Sequence, residues 1–248
     1  EAEIVARHIR TRLLGARLTD LWVGREDIIR EGYSTLPWYR GATLQAVDRY
    51  GKSVALTFEN DRACRYVVAE LGMTGLLLFR STPTRHPQHV HVRLSFEEGS
   101  EPELRYWNPR RFGRLSLLDR AGLDRYCTRR FGLDPLSASQ QDFVRFLQNR
   151  RGRLKALLMH QQAIAGIGNI YADEIMHRAR LRWDRRVEEL STAQLRTLHA
   201  ATVEVIDEAV AAGGSTLADT QYVDALGREG IFQTEHRVYA KEGERCIT

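Results

Sequence analysis

The period at which apolar residues recur changes near residue 130, and that change limits the folds open to this 248-residue chain. From about Leu18 to Leu118 the pattern is one of short runs with period two, as expected of strands half-buried in a sheet. Ser53–Glu59 and Arg62–Ala69 flank Asn60-Asp61, a plausible hairpin turn, and His89–Phe96 alternates polar with apolar positions. Ser81–Gln88 holds two prolines and reads as a loop. Residues 1–14 are the exception in this half. Ala2, Val5, Ile9 and Leu13 recur at helical spacing, acids occupy the first turn, and Gly15 offers a stop.

After Phe131 the period becomes helical. Ser139 and Asp142 resemble a capping box ahead of the stripe Phe143, Phe146, Leu147. A second helix is expected over about 153–160. Gly166 and Gly168 interrupt the pattern, Asn169 is placed as an N-cap, and a helix continues over 170–179. A fourth helix runs over about 192–212 to Gly213-Gly214, and Arg237–Ala240 reads as a short strand. No internal repeat is found. These elements describe an α+β chain: a β-rich domain over 1–130 with a flanking helix, a helical domain over 131–230, and a short C-terminal piece over 231–248.

Composition is that of an ordinary globular protein, 43% hydrophobic and 28% charged. No run of about 18 apolar residues occurs, so no membrane span is expected. No charged-then-apolar stretch is read at the start, so secretion is not expected, and Cys64, Cys127 and Cys246 are too scattered for a disulfide scaffold, which suits a reducing compartment. The net charge is +5. It is concentrated at Arg105, Arg110, Arg111 and Arg114, at Arg125, Arg129 and Arg130, and at Arg145, Arg150, Arg151, Arg153 and Lys155. Clustering of this kind is what a phosphate-binding surface requires, although a solvated charged face has the same composition.

The densest local signal is Ala165-Gly166-Ile167-Gly168-Asn169-Ile170-Tyr171-Ala172-Asp173-Glu174. Two glycines permit a tight turn, and the first-turn amides of the helix that follows lack intrahelical acceptors. Those amides and the helix dipole favour an anion such as a phosphate. A plain helix–helix corner would use the same residues.

From Lys155 to Glu174 the chain resembles the helix–two-turn–helix signature of the formamidopyrimidine-DNA glycosylase family, and further matches follow in order along nearly the whole sequence. Glu1-Ala2-Glu3 is similar to the continuation of the family's opening Pro-Glu-Leu-Pro-Glu. Tyr50-Gly51-Lys52 resembles its lysine-bearing strand, while Leu71–Gly75 and Pro109–Gly113 resemble its two lesion-probing loops. Gly213–Leu217 resembles the start of its base-binding loop, and Val238-Tyr239 to Cys246 the lead into its zinc finger.

The resemblance implies an N-terminal β-sandwich, a helical DNA-binding domain and the start of a zinc-finger hairpin. It also implies a bifunctional glycosylase and abasic-site lyase, acting on oxidised purines in duplex DNA as a monomer in the bacterial cytoplasm, at the nucleoid. Such an enzyme must extrude its target base and fill the gap. By resemblance the filling falls to Met73, Arg110 and Phe112. Apolar wedges suit separating base steps, and an arginine can hydrogen-bond an orphaned cytosine. Lys52 is implied near the scissile phosphates and Lys155 near the lesion. Gly168, Asn169 and Tyr171 are implied on the DNA backbone, Ser215 and Thr216 at the lesion loop, and Cys246 as the first of four structural zinc thiolates.

The family's nucleophile is an N-terminal proline beside a glutamate, both of which align before Glu1. An α-amino group with a pKa near 8 is roughly one-tenth free base at neutral pH, against about 0.04% for an ordinary lysine. Lys52 therefore suits a cation on phosphate better than a nucleophile.

Three positions depart from the family pattern. Glu70 stands where a phosphate-binding histidine is usual, Asn108 where an aspartate precedes Pro109, and Ala218 where a basic residue is common. Two other readings share the turn at Gly166–Asn169: an endonuclease VIII-type enzyme for oxidised pyrimidines, and a DNA-binding relative without catalysis.

Overall fold

A computed structural model describes residues 1–84, 86–217 and 222–245, so Ala218 and Cys246 lie outside the described residues. The chain forms two compact units: Glu1–Cys127 with Gly213–Gly230, and Thr128–Ala212 with the segment from Ile231. The stretch 213–230, grouped with the helices on sequence grounds, thus lies in the first unit. Ala225 explains why: its side chain is fully buried in that unit's core, and its carbonyl accepts the Phe79 amide at 3.0 Å.

In the first unit α1 (Ala2–Leu13) buries Ala2, Val5, Ile9 and Leu13, the stripe expected from their spacing, together with Ile4 and Ala6. Among the described residues nine strands follow: β1 (Arg17–Val23), β2 (Ile29–Glu31), β3 (Thr43–Tyr50), β4 (Ser53–Asn60), β5 (Ala63–Glu70), β6 (Leu76–Phe79), β7 (Val90–Glu97), β8 (Glu103–Trp107) and β9 (Leu115–Leu118). Their order across the sheet is β2-β9-β5-β4-β3-β1-β7-β8-β6, and the ladder is antiparallel except for the parallel pair β2–β9. Between the two halves, β1 and β3 share a single registered pair, Arg17 with Thr43. The halves fold over a shared core in which Phe58 of β4 stacks on Phe96 of β7, their ring centroids 6.4 Å apart. That is the expected sandwich.

The hairpin between β4 and β5 turns on Asp61 and Arg62, both at positive φ, one residue beyond the expected turn. A helix not expected from the sequence, α2 (Arg120–Arg130), starts where Asp119 Oδ1 accepts the Gly122 amide at 2.7 Å.

The second unit contains α3 (Gln140–Gln148), α4 (Leu154–Met159), α5 (Asn169–Arg178) and α6 (Thr192–Ala211) around a core of Phe143, Leu147, Leu158, Ile175 and Leu198. Ser139 caps α3 by accepting the Asp142 amide, as its sequence signature implies. Arg237–Ala240 is not a strand. The side chain of Glu174 takes the amides of Arg237, Val238 and Tyr239, so none of these is left for a ladder.

Candidate nucleic-acid interface and lesion loops

The first unit brings several of the sequence-designated residues together. Gly51, at positive φ, and Lys52 form the two-residue tip between β3 and β4, with Tyr50 paired to Ser53. At this tip Arg49 pairs with Glu3 of α1 at 3.5 Å, and the Glu1 carboxylate lies close enough to favour the Lys52 cation. Lys52 reaches solvent, yet the surrounding protein desolvates its ammonium and pulls its pKa below the ordinary lysine value; Glu1 opposes that shift. Because the side chain also touches water, solvent screening limits the effect.

Met73 and Phe112 are among the most exposed large apolar side chains of the protein, at 68% and 57%. Each projects from a loop whose backbone is fixed behind it. Gly72 has φ +64, and a β-carbon there would stand 2.8 Å from the Gly113 amide nitrogen. A β-carbon on Gly113 would collide with the Glu70 carbonyl and the Tyr106 hydroxyl. Only glycines allow the two loops to touch in this way. Arg110 lies over the Phe112 ring, its guanidinium carbon 4.7 Å from the centroid, so a cation and an apolar wedge are presented as one stack.

Asn108 sits behind this stack with no exposed surface. Its Oδ1 accepts the Arg111 amide at 2.9 Å and the Thr74 hydroxyl at 3.4 Å. Its Nδ2 donates to the Tyr106 hydroxyl at 2.9 Å and the Gly113 carbonyl at 3.3 Å.

Glu70, a residue expected to repel phosphate, is matched with a cation: Arg30 donates to its Oε2 at 3.0 Å. Ser215 and Thr216 are buried rather than displayed. The Thr216 hydroxyl donates to the Tyr222 carbonyl and accepts the Gly230 amide, so it closes the base of the 213–230 loop. Near the Arg110 loop, His86, His89 and His91 form an edge-to-face chain, with Trp107 packed on His89 at 6.1 Å. These histidines fall in the segments expected as loop and strand. Their spacing in His86-Pro87-Gln88-His89-Val90-His91 was the available signal. Burial holds His91 below its ordinary pKa, and its Nε2 lies 3.0 Å from the Asn108 carbonyl.

In the second unit the turn before α5 is held by Gln161, whose side chain accepts the Gly166 amide and donates to the Ile167 carbonyl, both at 2.9 Å. Gly168, not Asn169, is the N-cap; Asn169 is the first helical residue and is exposed. A glycine at the cap supplies no side-chain oxygen to this helix start, where the helix dipole favours an anion. Tyr171 packs on Phe232 at 6.0 Å. Lys155 pairs with Asp173 at 2.8 Å, so its charge ties α4 to α5.

Among the described residues no group of three or more His, Cys, Asp or Glu side chains is arranged to hold a metal. No helix among them is long and apolar enough to cross a membrane.

The two halves match separate family models: the formamidopyrimidine-DNA glycosylase N-terminal domain over residues 1–115 and the formamidopyrimidine-DNA glycosylase H2TH domain over 131–221. A formamidopyrimidine-DNA glycosylase of Thermus thermophilus is 39% identical over 249 residues, covering 99% of this chain and 88% of the relative. One from Solibacter usitatus is 34% identical, covering 100% and 89%. The crystal structure of the MutM (Fpg) protein from Thermus thermophilus has a TM-score of 0.85 at 36% identity, over 100% of this chain and 89% of that one. The Lactococcus lactis Fpg in complex with abasic-site DNA has a TM-score of 0.84 at 25% identity, with coverage of 100% and 89%. Exposed wedges on a glycine-locked pair of loops, an uncapped helix start and full-length likeness converge: this chain belongs to the formamidopyrimidine-DNA glycosylase family.

Proposed function

We propose that this DNA glycosylase of base excision repair excises 8-oxoguanine and formamidopyrimidines from duplex DNA and nicks the abasic strand that results. The observation that carries the reading is the solvent-facing stack of Arg110 on Phe112, with Met73 still more exposed on the adjoining loop, both loops being locked from behind. Apolar side chains held rigidly in water gain by entering a base stack, and a rigid wedge loses little conformational entropy in doing so. Met73 and Phe112 fill the gap left by the extruded base, while Arg110 hydrogen-bonds the base opposite. Gly168, Asn169 and Tyr171, at the start of α5, hold a backbone phosphate. Lys52 supplies a cation to phosphates near the break, and Ser215 and Thr216 shape the root of the loop over the lesion. Pairing with Asp173 makes Lys155 a strut for the α4–α5 turn as well as a positive charge near the lesion.

By resemblance to the family, the bond-breaking amine is an N-terminal proline aligning before Glu1. It attacks the sugar carbon bearing the lesion as the damaged base leaves; the sugar ring then opens at its C1′–O4′ bond to give a Schiff base, which permits strand cleavage by elimination. Damaged double-stranded DNA is the partner, bound by a monomer in the bacterial cytoplasm at the nucleoid. A structural zinc held through Cys246 enters none of these steps; metal analysis of the full-length protein tests it, and zinc well below one per chain refutes it.

Borohydride is expected to trap a covalent adduct between the full-length protein and a duplex carrying 8-oxoguanine. Absence of an adduct from protein with a confirmed N-terminal proline overturns the reading. Asn169→Ala should weaken binding to damaged and undamaged duplex alike, because phosphate contacts position the protein without reading the base.

A further inference from the structure

We propose that Asn108 is a positioning residue that locks the Met73 loop and the Arg110–Phe112 loop into one unit, so that the three side chains enter DNA together. The inference rests on the roles proposed above for those side chains. Asn108 is fully buried and its side chain bonds to both loops. It holds Thr74, one residue beyond Met73, and it holds Arg111 and Gly113 on either side of Phe112. Its own backbone carbonyl meets His91 of β7, so the knot is fixed to the sheet and does not float with the loops.

An amide is required for this wiring. Oδ1 faces two donors, and Nδ2 faces the Tyr106 hydroxyl and the Gly113 carbonyl. Because Nδ2 donates to the Tyr106 oxygen, the phenolic hydrogen is free to donate to the Glu70 carbonyl, at 2.7 Å. That carbonyl belongs to the last residue of β5, from which the Met73 loop departs. The chain of bonds therefore leaves one loop, crosses Asn108 and Tyr106, and returns to the root of the other. An ionised aspartate at 108 has no N–H to give. The Tyr106 hydrogen would turn toward the carboxylate, and both the Glu70 and Gly113 carbonyls would lose a donor. Asn108 is thus joined through one hydroxyl to the backbone of residue 70, at the root of the Met73 loop.

The test is a double-mutant cycle in the full-length protein, in wild-type, Asn108→Asp and Asn108→Ala backgrounds. Each background carries Met73→Ala, Phe112→Ala or both, and the readout is single-turnover excision of 8-oxoguanine opposite cytosine. In the wild-type background the two truncations should be strongly non-additive, with a coupling of about tenfold in rate. In Asn108→Ala the coupling should vanish, and Asn108→Asp should fall between, since it keeps the acceptor half of the knot. Incision of a duplex with a preformed abasic site, which has no stacked base to extrude, should lose less than about threefold in Asn108→Ala.

Equal losses on both substrates, or coupling unchanged in Asn108→Ala, overturn the proposal. Amide exchange at Arg111 gives a readout independent of activity. In Asn108→Ala the Arg111 amide should exchange at least about tenfold faster, with the α1 amides unchanged; protection equal to wild type overturns the proposal even if the protein excises nothing. Failure of the wild type to excise 8-oxoguanine at all is instead a failure of the proposed function.

Discussion

Replacing Glu174 tests how the segment after residue 236 is held. The side chain is buried on α5; Oε2 accepts the Arg237 amide at 2.9 Å, and Oε1 accepts the amides of Val238 and Tyr239 at 3.1 and 2.9 Å. A hydrogen bond to a charged group contributes about 1.5–3 kcal/mol when dry. Arg237 is exposed and its two neighbours are half-buried, so water replaces part of what is lost. Three such bonds then sum to about 3 kcal/mol for Glu174→Ala, which is roughly a hundredfold in a local opening constant. Glu174→Gln has the same shape and leaves no cavity. One oxygen keeps two of the bonds, but its amide group meets another N–H, so about half of that free energy, on the order of tenfold, should go.

Hydrogen exchange read at residue level on the DNA-free protein is the assay. The amides of 237–239 should exchange faster in the order wild type, Gln, Ala, while those of α6 keep their protection. Wild-type rates at 237–239 in the alanine variant would refute the reasoning. So would acceleration spread evenly over α6, since that would report global loosening and not a local tether.

Arg30→Ala should lower duplex affinity by exposing the Glu70 carboxylate to phosphate, and Glu70→Gln in the same protein should restore it; affinity unchanged in Arg30→Ala at low salt contradicts the pairing. Gly113→Ala should cost about 2–3 kcal/mol or more, because the new methyl meets backbone and a buried hydroxyl that cannot yield, and an unaltered melting temperature would count against the close approach. Stability should fall as pH drops from neutrality through the ordinary histidine value of 6.5, since burial holds His91 and His236 below it. Below that value the unfolded chain binds protons that the folded chain refuses, so unfolding gains with acid. Denaturant titrations at pH 7.5 and 5.5 measure this, and equal or greater stability at the lower pH would contradict it.

Where the determinants of an element are local, the sequence was sufficient to find it. The stripe of α1 and the Ser139 cap of α3 depend on residues within a few positions of each other. Helix α2 was missed because only Gly122, Leu123 and Tyr126 of it are buried, too few to make a stripe. The N-cap at α5 was misplaced by one residue because a glycine offers no side chain to recognise. Arg237–Ala240 has the composition of a strand, but its amides are claimed by a carboxylate 63 to 65 positions away. In the candidate site, the exposed wedges could be named from their motifs. The Arg30 partner of Glu70 lies 40 positions distant and the Asp173 partner of Lys155 lies 18 positions away, so neither has a local signature.

The nine-stranded sheet ends on its two shortest kinds of strand, three residues in β2 and four in β6. An unpaired strand edge is a template on which a second chain can add itself, and the hazard grows with the length of flat edge on offer. Edges this short present too few free backbone groups to recruit a neighbour. Copies crowded along one stretch of DNA can therefore meet side by side without knitting into aggregates.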